Sequence, residues 1–255
     1  MSSTIFMIHG MMVGPWCWDN YRNFFEEKGY RCITPVLRFH DMDPAGIPDP
    51  RLGTTSLLDY IADLEEEIAG LQERPILMGH SMGGLLAQIL ASRGYAEAAV
   101  LLTPASPAGI NALSFTVLKS FSGAMMNWGF WKKPFRFSFT KAVYSCMHLL
   151  PREEQKQVYG KMVYESSRAA RQIGYWYLDR TKAARVDHDA VSCPMLVIAG
   201  KEDRITPAPV VKKVAHKYKD AAFKMFDDKA HWVLGEPGWQ DVAAYVSGWL
   251  KDNSL

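Results

Sequence analysis

The stretch from Pro75 to Gly84, PILMGHSMGG, restricts this chain to few folds. A short apolar run ends in the turn Gly79–Gly83, and a segment rich in alanine and leucine follows it at helical spacing. This order predicts a strand, a sharp turn and a helix, with Ser81 projecting from the edge of a sheet into an open site. Because glycine has no Cβ, the flanking glycines relieve the crowding of a strained turn and let the helix pack close to the neighbouring strands.

Ser81 needs a base within hydrogen-bond reach if its hydroxyl is to act as a nucleophile, and that base needs a carboxylate to orient it. Among the seven histidines, His231 has the right position, because its loop follows the last apolar run and precedes the closing helix. We interpret His80 as a turn residue, since consecutive residues of a tight turn point apart, and the place of His40 in a long loop stays open. The remaining candidates are interpreted as surface or packing residues: His148, His188 and His216.

Asp203 is the candidate for the orienting carboxylate. It follows the apolar run Met195–Ala199 in the segment GKEDRITP, which places it at the same edge of the sheet as the serine. Its neighbour Glu202 would point elsewhere. Asp227 and Asp228 lie so close to the last strand that we interpret them as turn residues.

The order Ser81, Asp203, His231 along the chain is the order of hydrolases built around such a serine turn. In this arrangement His231 takes the proton of the Ser81 hydroxyl, and Asp203 fixes the tautomer of the histidine and stabilises its cation. His231 later activates a water molecule. The three residues therefore predict nucleophilic catalysis through a covalent intermediate on the serine.

Two backbone N–H groups are expected to stabilise the developing oxyanion. The N–H of Met82 lies at the start of the helix after the serine, where the helix dipole is positive. The second donor is expected from the loop after the first strand, where Gly10 lets the backbone turn and the N–H of Met11 aims at the same point. We also expect Gly10, Met12 and Trp232 to contact the substrate.

Short apolar runs alternate with helical segments along much of the chain. Six runs are predicted to be strands: 4–8, 30–34, 75–78, 98–103, 195–199 and 222–226. Strands that are short and almost continuously apolar are typical of a parallel sheet covered by helices on both faces. The predicted fold class is therefore α/β, with a mostly parallel sheet of about six strands flanked by helices.

The segment 105–190 interrupts this alternation. It holds four helical stretches that are dense in phenylalanine, tryptophan, tyrosine and methionine, with no clear strand. We predict a helical cap over the carboxyl ends of the strands, inserted between the core segments 1–104 and 191–255. Most of its aromatic side chains should pack the cap onto the core, and a minority should face an apolar, adaptable pocket. Its basic residues are interpreted as a solvated edge: Lys132, Lys133 and Arg136, beside Trp128, Phe130 and Trp131.

The composition argues against several classes of partner. The net charge is +2, with 29 lysines and arginines against 27 acidic residues, so neither nucleic acid nor an acidic partner is expected. No apolar run approaches the roughly 18 residues that a membrane span needs, and the opening residues lack the pattern of an export signal. The four cysteines have no C-x-x-C spacing, which favours reduced thiols and a cytoplasmic protein. No metal ion or organic cofactor is expected.

Taken together, these residues resemble the α/β-hydrolase superfamily over nearly the full length of the chain except the cap. The motifs are His9-Gly10, the turn Gly79–Gly84, Asp203 in GKEDRITP, and His231. The opening HGMMVGPWCW further resembles the HG-x-x-x-G-x-W-x-W start of the plant methylesterase and hydroxynitrile lyase group. The resemblance implies the α/β-hydrolase fold with an inserted cap.

Two departures from that group favour ester hydrolysis over cyanohydrin cleavage. In the lyases a threonine stands where this chain has Gly10, and a lysine follows the catalytic histidine where this chain has Trp232. A serine at the turn also argues against epoxide hydrolase and dehalogenase chemistry, which uses aspartate there in this superfamily. The expected activity is that of a carboxylesterase on uncharged short- to medium-chain or aryl esters, through an acyl-enzyme at Ser81.

Three alternatives stay open. Carbon–carbon hydrolases of the superfamily resemble this chain in S-M-G-G and in a tryptophan after the histidine, although they carry asparagine where His80 stands. Cofactor-free perhydrolysis or acyl transfer would use the same three residues. A receptor of this fold would instead bind a small hydrophobic ligand tightly and release little or no product.

Overall fold

The computed structural model of the chain describes residues 3–112, 114–121 and 129–255. Within these residues six strands form one sheet in the order β2-β1-β3-β4-β5-β6, and every neighbouring pair is parallel. The strands are β1 Thr4–Ile8, β2 Arg31–Ile33, β3 Ile76–His80, β4 Ala98–Leu102, β5 Met195–Gly200 and β6 Ala222–Phe226. The predicted α/β class and the positions of the strands are confirmed.

Helices cover the sheet and occupy much of the described segment between β4 and β5. The α-helices are α1 Asp19–Glu26, α2 Leu57–Ala69, α3 Met82–Ser92, α4 Phe115–Phe121, α5 Phe139–Ala142, α6 Arg152–Lys161, α7 Ser167–Gly174, α8 Ala208–Ala215 and α9 Trp239–Asp252. Short 3₁₀ turns span Pro15–Trp18, Pro50–Thr54, Phe130–Lys132, Trp176–Leu178 and His188–Ala190. None of the helices in the described ranges is both long and apolar enough to cross a bilayer.

The sheet is buried on both faces because successive side chains of a strand point to opposite sides. In β1, Phe6 and Ile8 join the apolar cluster that contains residues of α2, α3 and α8. Ile5 and Met7 join the opposite cluster, which contains residues of α1 and α9. This two-sided burial explains why the strands read as continuous apolar runs rather than as alternating ones.

The order of the strands opens a crevice above β1 and β3. β1 lies between β2 and β3, so the chain leaves β1 towards one side of the sheet and later returns on the other side. The loops after β1 and β3 therefore diverge at the carboxyl ends of the strands, which is where α/β sheets bind ligands. Ile8 pairs in register with Gly79, so the two strands end side by side.

The amphipathic helix α2 begins with a capping box. Ser56 Oγ accepts a hydrogen bond of 3.0 Å from the N–H of Leu58, and Asp59 Oδ2 accepts one of 2.7 Å from the N–H of Ser56. These bonds satisfy two N–H groups that a helix start leaves without intrahelical partners. The helix buries Leu57, Ile61 and neighbouring apolar residues against the sheet, as its spacing predicts.

Between β4 and β5 the described part of the chain adds no strand to the sheet. It contains α4 to α7, and α5 continues directly into a π-helical segment, Val143–Met147. Phe135 and Glu165 form one antiparallel bridge that the sequence did not predict. Part of the first predicted helical stretch, 122–128, lies outside the described residues. The division into 1–104, 105–190 and 191–255 stays a prediction.

Candidate active site

Ser81 stands at a sharp turn between β3 and α3. Its φ of 54° and ψ of −119° lie in a region that residues with a Cβ rarely adopt. Hydrogen bonds hold this strained residue on both sides: its N–H donates to the carbonyl oxygen of Leu102 over 3.1 Å, and its own carbonyl oxygen accepts from Gly84 and Ala105 over 2.9 and 2.8 Å. The serine therefore keeps a fixed orientation at the end of the sheet.

The glycines around Ser81 are required by close backbone contacts. A Cβ on Gly79 would lie 2.3 Å from the carbonyl oxygen of Gly83, and a Cβ on Gly83 would lie 2.1 Å from that of Ile8. A Cβ on Gly10 would lie 2.9 Å from the Cβ of Ser81. Each of these distances is shorter than real Cβ contacts, so the turn and the loop after β1 can approach each other only because all three positions are glycine.

The structure brings together the three side chains that the sequence singled out. His231 Nε2 lies 3.0 Å from Ser81 Oγ, and His231 Nδ1 lies 2.8 Å from Asp203 Oδ2. Asp203 Oδ1 accepts hydrogen bonds from the N–H groups of Ile205 and Thr206 over 2.7 and 2.9 Å. The carboxylate follows β5 and the histidine follows β6, so neighbouring strand ends position both groups. A continuous chain of hydrogen bonds thus runs from the carboxylate to the serine hydroxyl.

A buried glutamate holds the loop of His231. Glu236 is fully buried and accepts hydrogen bonds from the N–H groups of Ala230 and Trp232 over 2.7 and 2.9 Å, one on each side of the histidine. Burial is the main reason why the pKa of Glu236 rises to about 7. Glu236 was not among the predicted site residues, although a glutamate five positions after the histidine in an otherwise apolar loop was an available signal.

His80 is not the turn residue that we predicted. It is the last residue of β3, and its buried Nε2 donates to the carbonyl oxygen of His231 over 2.8 Å. Burial, together with the neighbouring His231, lowers the pKa of His80 to about 3, so its ring is neutral. His80 therefore fixes the backbone of the histidine that faces Ser81.

The loop after β1 brings Met11 beside Ser81. Its neighbour His9 is buried and neutral, because burial and the nearby His40 lower its pKa to about 3. His9 Nδ1 donates to the carbonyl oxygen of Gly10 over 2.9 Å, and His9 Nε2 accepts from the N–H of Leu37 over 3.2 Å. These bonds tie the loop after β1 to the segment after β2.

Two cavities meet in front of the serine and share Met11, Ser81 and Ile205 as walls. The larger has a volume of about 120 Å³, and Met82 and the cap helices α4 and α7 line it. The smaller has a volume of about 50 Å³, and His231 lines it. The two predicted oxyanion donors, Met11 and Met82, thus both border the larger cavity, whereas the histidine borders only the smaller one.

The walls of both cavities are largely apolar. Of the aromatic residues in the described part of the cap, Phe135 and Tyr175 line the larger cavity and Phe137 lines the smaller one, in line with the expectation that few of them face a pocket. Met12 and Trp232 line the smaller cavity, so two of the three predicted substrate contacts border it. The third, Gly10, lies directly against Ser81.

The interpretation of Arg136 as part of a solvated edge is wrong. Its guanidinium donates to the carbonyl oxygens of Pro44 and Tyr159 over 2.8 and 2.7 Å and lies 4.6 Å from the centre of the Tyr159 ring. Arg136 therefore ties the cap to the long connection after β2. Lys132 and Lys133 are exposed. Trp128 and the side chain of Phe130 lie outside the described residues.

No group of three histidine, cysteine, aspartate or glutamate side chains in the described ranges is arranged to hold a metal ion. What the site offers is a hydroxyl, an imidazole and a carboxylate in sequence, with apolar space in front of the hydroxyl. Such an arrangement is suited to acyl transfer through the serine.

Comparison with known proteins supports this description. The chain is 34% identical over 87 residues to Methylesterase 4 of Arabidopsis thaliana, covering 32% of this chain and 31% of that protein. It is 28% identical over 123 residues to Methylesterase 9 of the same plant, covering 47% and 46%. The matches thus span a third to a half of these relatives.

The fold also matches a crystal structure of a methylesterase from Arabidopsis with a TM-score of 0.74, at 13% identity, covering 98% of this chain and 99% of that one. The family model described as "Alpha/beta hydrolase family" matches residues 5–244, which is most of the chain. The predicted resemblance is therefore confirmed, and the chain belongs to the alpha/beta hydrolase family.

Proposed function

We propose that the protein is a serine carboxylesterase that cleaves uncharged esters through an acyl-enzyme at Ser81. The observation that carries this proposal is the unbroken hydrogen-bond chain from Asp203 through His231 to the Ser81 hydroxyl, which ends in an apolar cavity. The similarity to plant methylesterases agrees with it.

In the proposed reaction, Ser81 Oγ attacks the carbonyl carbon while His231 Nε2 takes the hydroxyl proton. The oxyanion that forms accepts hydrogen bonds from the N–H groups of Met11 and Met82. When the bond to the alcohol oxygen breaks, His231 returns its proton to that oxygen and the acyl group stays on Ser81. Water then attacks the acyl carbon, gives its proton to His231, and the acid leaves as Ser81 recovers its hydroxyl proton.

The two cavities indicate how the ester is oriented. His231 must reach the oxygen of the leaving alcohol, and it lines only the smaller cavity. Met82 must reach the carbonyl oxygen, and it lines only the larger one. We therefore infer that the alcohol occupies the smaller cavity and the acyl group the larger, so the substrate joins a compact alcohol to a bulkier apolar acid.

The surroundings of Ser81 disfavour cyanohydrin cleavage. A Cβ at Gly10 would already lie 2.9 Å from that of Ser81, so the position cannot hold the threonine of the lyases without movement. Trp232, at the position where the lyases have a lysine, lines the smaller cavity. Both features support ester hydrolysis. The proposed reaction needs only side chains and backbone groups of the chain and water. The free thiols of the four cysteines support our inference of a cytoplasmic protein.

The test combines covalent labelling with turnover. A fluorophosphonate should label Ser81 of the wild type, located by mass spectrometry, and leave Ser81→Ala unlabelled. A series of p-nitrophenyl and methyl esters should then show burst kinetics and a preference for a small alcohol with a larger acid. Labelling without ester turnover would contradict the esterase and favour carbon–carbon hydrolysis or a ligand receptor, and tight ligand binding without product would identify the receptor. Absence of labelling would refute the nucleophile.

A further inference from the structure

A second carboxylate, Glu165, is fully buried at the contact between the cap and the core. Its Oε1 accepts hydrogen bonds from the hydroxyl of Tyr60 over 2.8 Å and from the N–H of Ser166 over 2.6 Å. Its Oε2 lies 3.1 Å from His40 Nε2 and accepts from the N–H of Met12 over 3.3 Å. One side chain thus joins the cap to α2, to the segment after β2 and to the loop after β1.

His40 carries the charge that balances Glu165. Its side chain is fully buried, its Nε2 faces the Glu165 carboxylate, and its Nδ1 lies 3.1 Å from the carbonyl oxygen of Arg38. Both oxygens can only accept from the ring, so both ring nitrogens must carry a proton. Burial opposes this charge, but Glu165 and the backbone contacts of Arg38 and Leu37 outweigh it, and the pKa of His40 lies above its ordinary value.

Met12 is the residue that this ion pair reaches in the loop after β1. Its φ of 63° is positive, a conformation that is strained for a residue with a Cβ, so neighbouring contacts must hold it there. The cap supplies those contacts from both sides of the residue. Glu165 accepts from the Met12 N–H, and the N–H of Val163 donates to the Met12 carbonyl oxygen over 2.9 Å.

The peptide held in this way is the one that follows the proposed oxyanion donor. The carbonyl of Met11 and the N–H of Met12 belong to one planar peptide unit. Fixing this unit restricts rotation of the Met11 backbone, and such a rotation would turn the Met11 N–H away from Ser81. We propose that Glu165, which is paired with His40, is a positioning residue that aligns the oxyanion hole through Met12. This inference rests on the proposed function, because it assigns Glu165 a task in the same reaction.

The proposal predicts that kcat falls at alkaline pH. The charged and titratable groups that face the pair are His9, whose ring lies 5.1 Å from that of His40, and Tyr60, whose ring lies 5.9 Å from it. His9 is neutral because burial lowers its pKa to about 3. Arg38 is partly exposed and forms an ion pair with Asp63, and its positive charge interacts electrostatically with Tyr60. Deprotonation of His40 at high pH leaves Glu165 without its cation, so Met12 is held less firmly and kcat falls.

The test compares Glu165→Gln with the wild type in kcat, KM and pH profile, with kcat expressed per site titrated by fluorophosphonate. Misplacing the oxyanion donor should lower kcat about 10- to 100-fold and leave KM within about threefold, because the loss concerns the transition state. The affinity for a trifluoromethyl ketone, whose adduct with Ser81 carries an oxyanion, should fall by a similar factor. The alkaline fall of kcat in the wild type should be absent in the variant.

Two companion variants separate positioning from folding. Gln172→Ala removes another buried tie between cap and core, the 2.9 Å bond to the N–H of Leu57, but touches neither Met12 nor Ser81, so its kcat should stay within about threefold of wild type. Glu165→Asp keeps the charge but withdraws the carboxylate from Met12, so its kcat should fall while the alkaline limb remains. This variant provides the test if Glu165→Gln does not fold.

The outcomes also separate this inference from the proposed function. If the wild type turns over esters and a folded Glu165 variant keeps kcat within about threefold, the positioning role is wrong and the esterase stands. The positioning role is also wrong if Gln172→Ala loses as much activity as Glu165→Gln. If the wild type turns over no ester but binds the trifluoromethyl ketone, and Glu165→Gln weakens that binding, the oxyanion hole is as inferred and the esterase is wrong.

Discussion

Two histidine–carboxylate pairs are buried in the described part of the chain, and they differ in what the second ring nitrogen faces. His231 contacts Asp203 over 2.8 Å, and its other nitrogen lies 3.0 Å from the hydroxyl of Ser81. His40 contacts Glu165 over 3.1 Å, and its other nitrogen lies 3.1 Å from a backbone carbonyl oxygen. A hydroxyl can give a proton to the ring, whereas a carbonyl oxygen can only accept one. The first pair is therefore suited to move a proton and the second to retain one.

The carboxylates of the two pairs are held in similar ways. Thr206 Oγ1 lies 2.7 Å from Asp203 Oδ2, and the hydroxyl of Tyr60 donates to Glu165 Oε1 over 2.8 Å. Backbone N–H groups complete both sets of hydrogen bonds. The environment of the carboxylate is thus not what distinguishes the pairs. The distinction lies in the second nitrogen of the histidine, and substitutions in each pair should show it.

The largest effect is expected from Asp203→Asn. The amide cannot fix the histidine tautomer that accepts the proton of Ser81, so kcat should fall about 10⁴-fold while the fold stays intact. Steady-state kinetics with the best p-nitrophenyl ester, corrected by active-site titration, measure this loss. The matching change in the second pair, Glu165→Gln, should lower kcat far less. Activity of Asp203→Asn within a few-fold of wild type at neutral pH would show that another carboxylate orients His231.

The second prediction concerns stability in the other pair. His40→Gln removes the cation and leaves Glu165 buried without a countercharge, which should lower the free energy of unfolding by about 3–5 kcal/mol. The double variant His40→Gln, Glu165→Gln removes both charges and should recover much of that loss. Urea unfolding of the wild type, both single variants and the double variant gives the coupling free energy between His40 and Glu165. If the double variant is as unstable as the sum of the single ones, His40 and Glu165 do not act as an ion pair.

The positions of the two pairs relative to the strands explain why only one pair could be predicted from the sequence. Asp203 and His231 each follow a strand of one parallel sheet, and the carboxyl ends of such strands lie at the same edge. Both residues could therefore be predicted from the apolar runs that precede them, and so could Ser81, which follows β3. The fold class and the strands followed from the same runs, since a strand buried on both faces has to be apolar throughout.

His40 and Glu165 had no such signal. They are 125 positions apart, one in a connection without periodicity and the other in a cap whose helices give no register with the core. Their contact arises from tertiary packing, as does the positive φ of Met12, which no local pattern of the sequence requires. His80 was misjudged for a related reason: its neighbour Ser81 turns away from it, so its ring is free to enter the core and contact the loop of His231.

Glu236 is a third buried carboxylate and differs from the other two. It has no histidine partner in the described residues and accepts hydrogen bonds only from backbone N–H groups. Burial raises its pKa from 4.5 to about 7, so the folded protein holds its proton more tightly than the unfolded chain. Its contribution to stability is complete below the unfolded pKa of 4.5 and is lost as the pH rises to about 7. The shift corresponds to about 3 kcal/mol.

Glu236→Gln is uncharged at every pH and should remove this dependence. Urea unfolding at several pH values should show the wild type losing stability relative to the variant as the pH rises from 4.5 to about 7. Above that range the difference should be constant. A constant difference throughout would mean that Glu236 ionises in the folded protein as easily as in the unfolded chain.

The smallest effect is expected from Tyr60→Phe, which removes one hydrogen bond from Glu165 and leaves the bonds from His40 and Met12 in place. Loss of a buried hydrogen bond to a charged group should lower the free energy of unfolding by about 1.5–3 kcal/mol. Because the Met12 N–H is still held, kcat should stay within about twofold of wild type. Urea unfolding and steady-state kinetics on the same preparation give both values.

Tyr21→Phe is the matched control, since the buried hydroxyl of Tyr21 donates over 3.1 Å to the neutral carbonyl oxygen of Val233. Its loss should lower stability by only about 1 kcal/mol, because a neutral acceptor forms the weaker bond. A Tyr60→Phe loss no larger than this would indicate that Glu165 is protonated rather than paired with a charged His40. In that case the second pair would share a movable proton, as the first pair does with Ser81, and the distinction between the two would lie in access to a substrate instead.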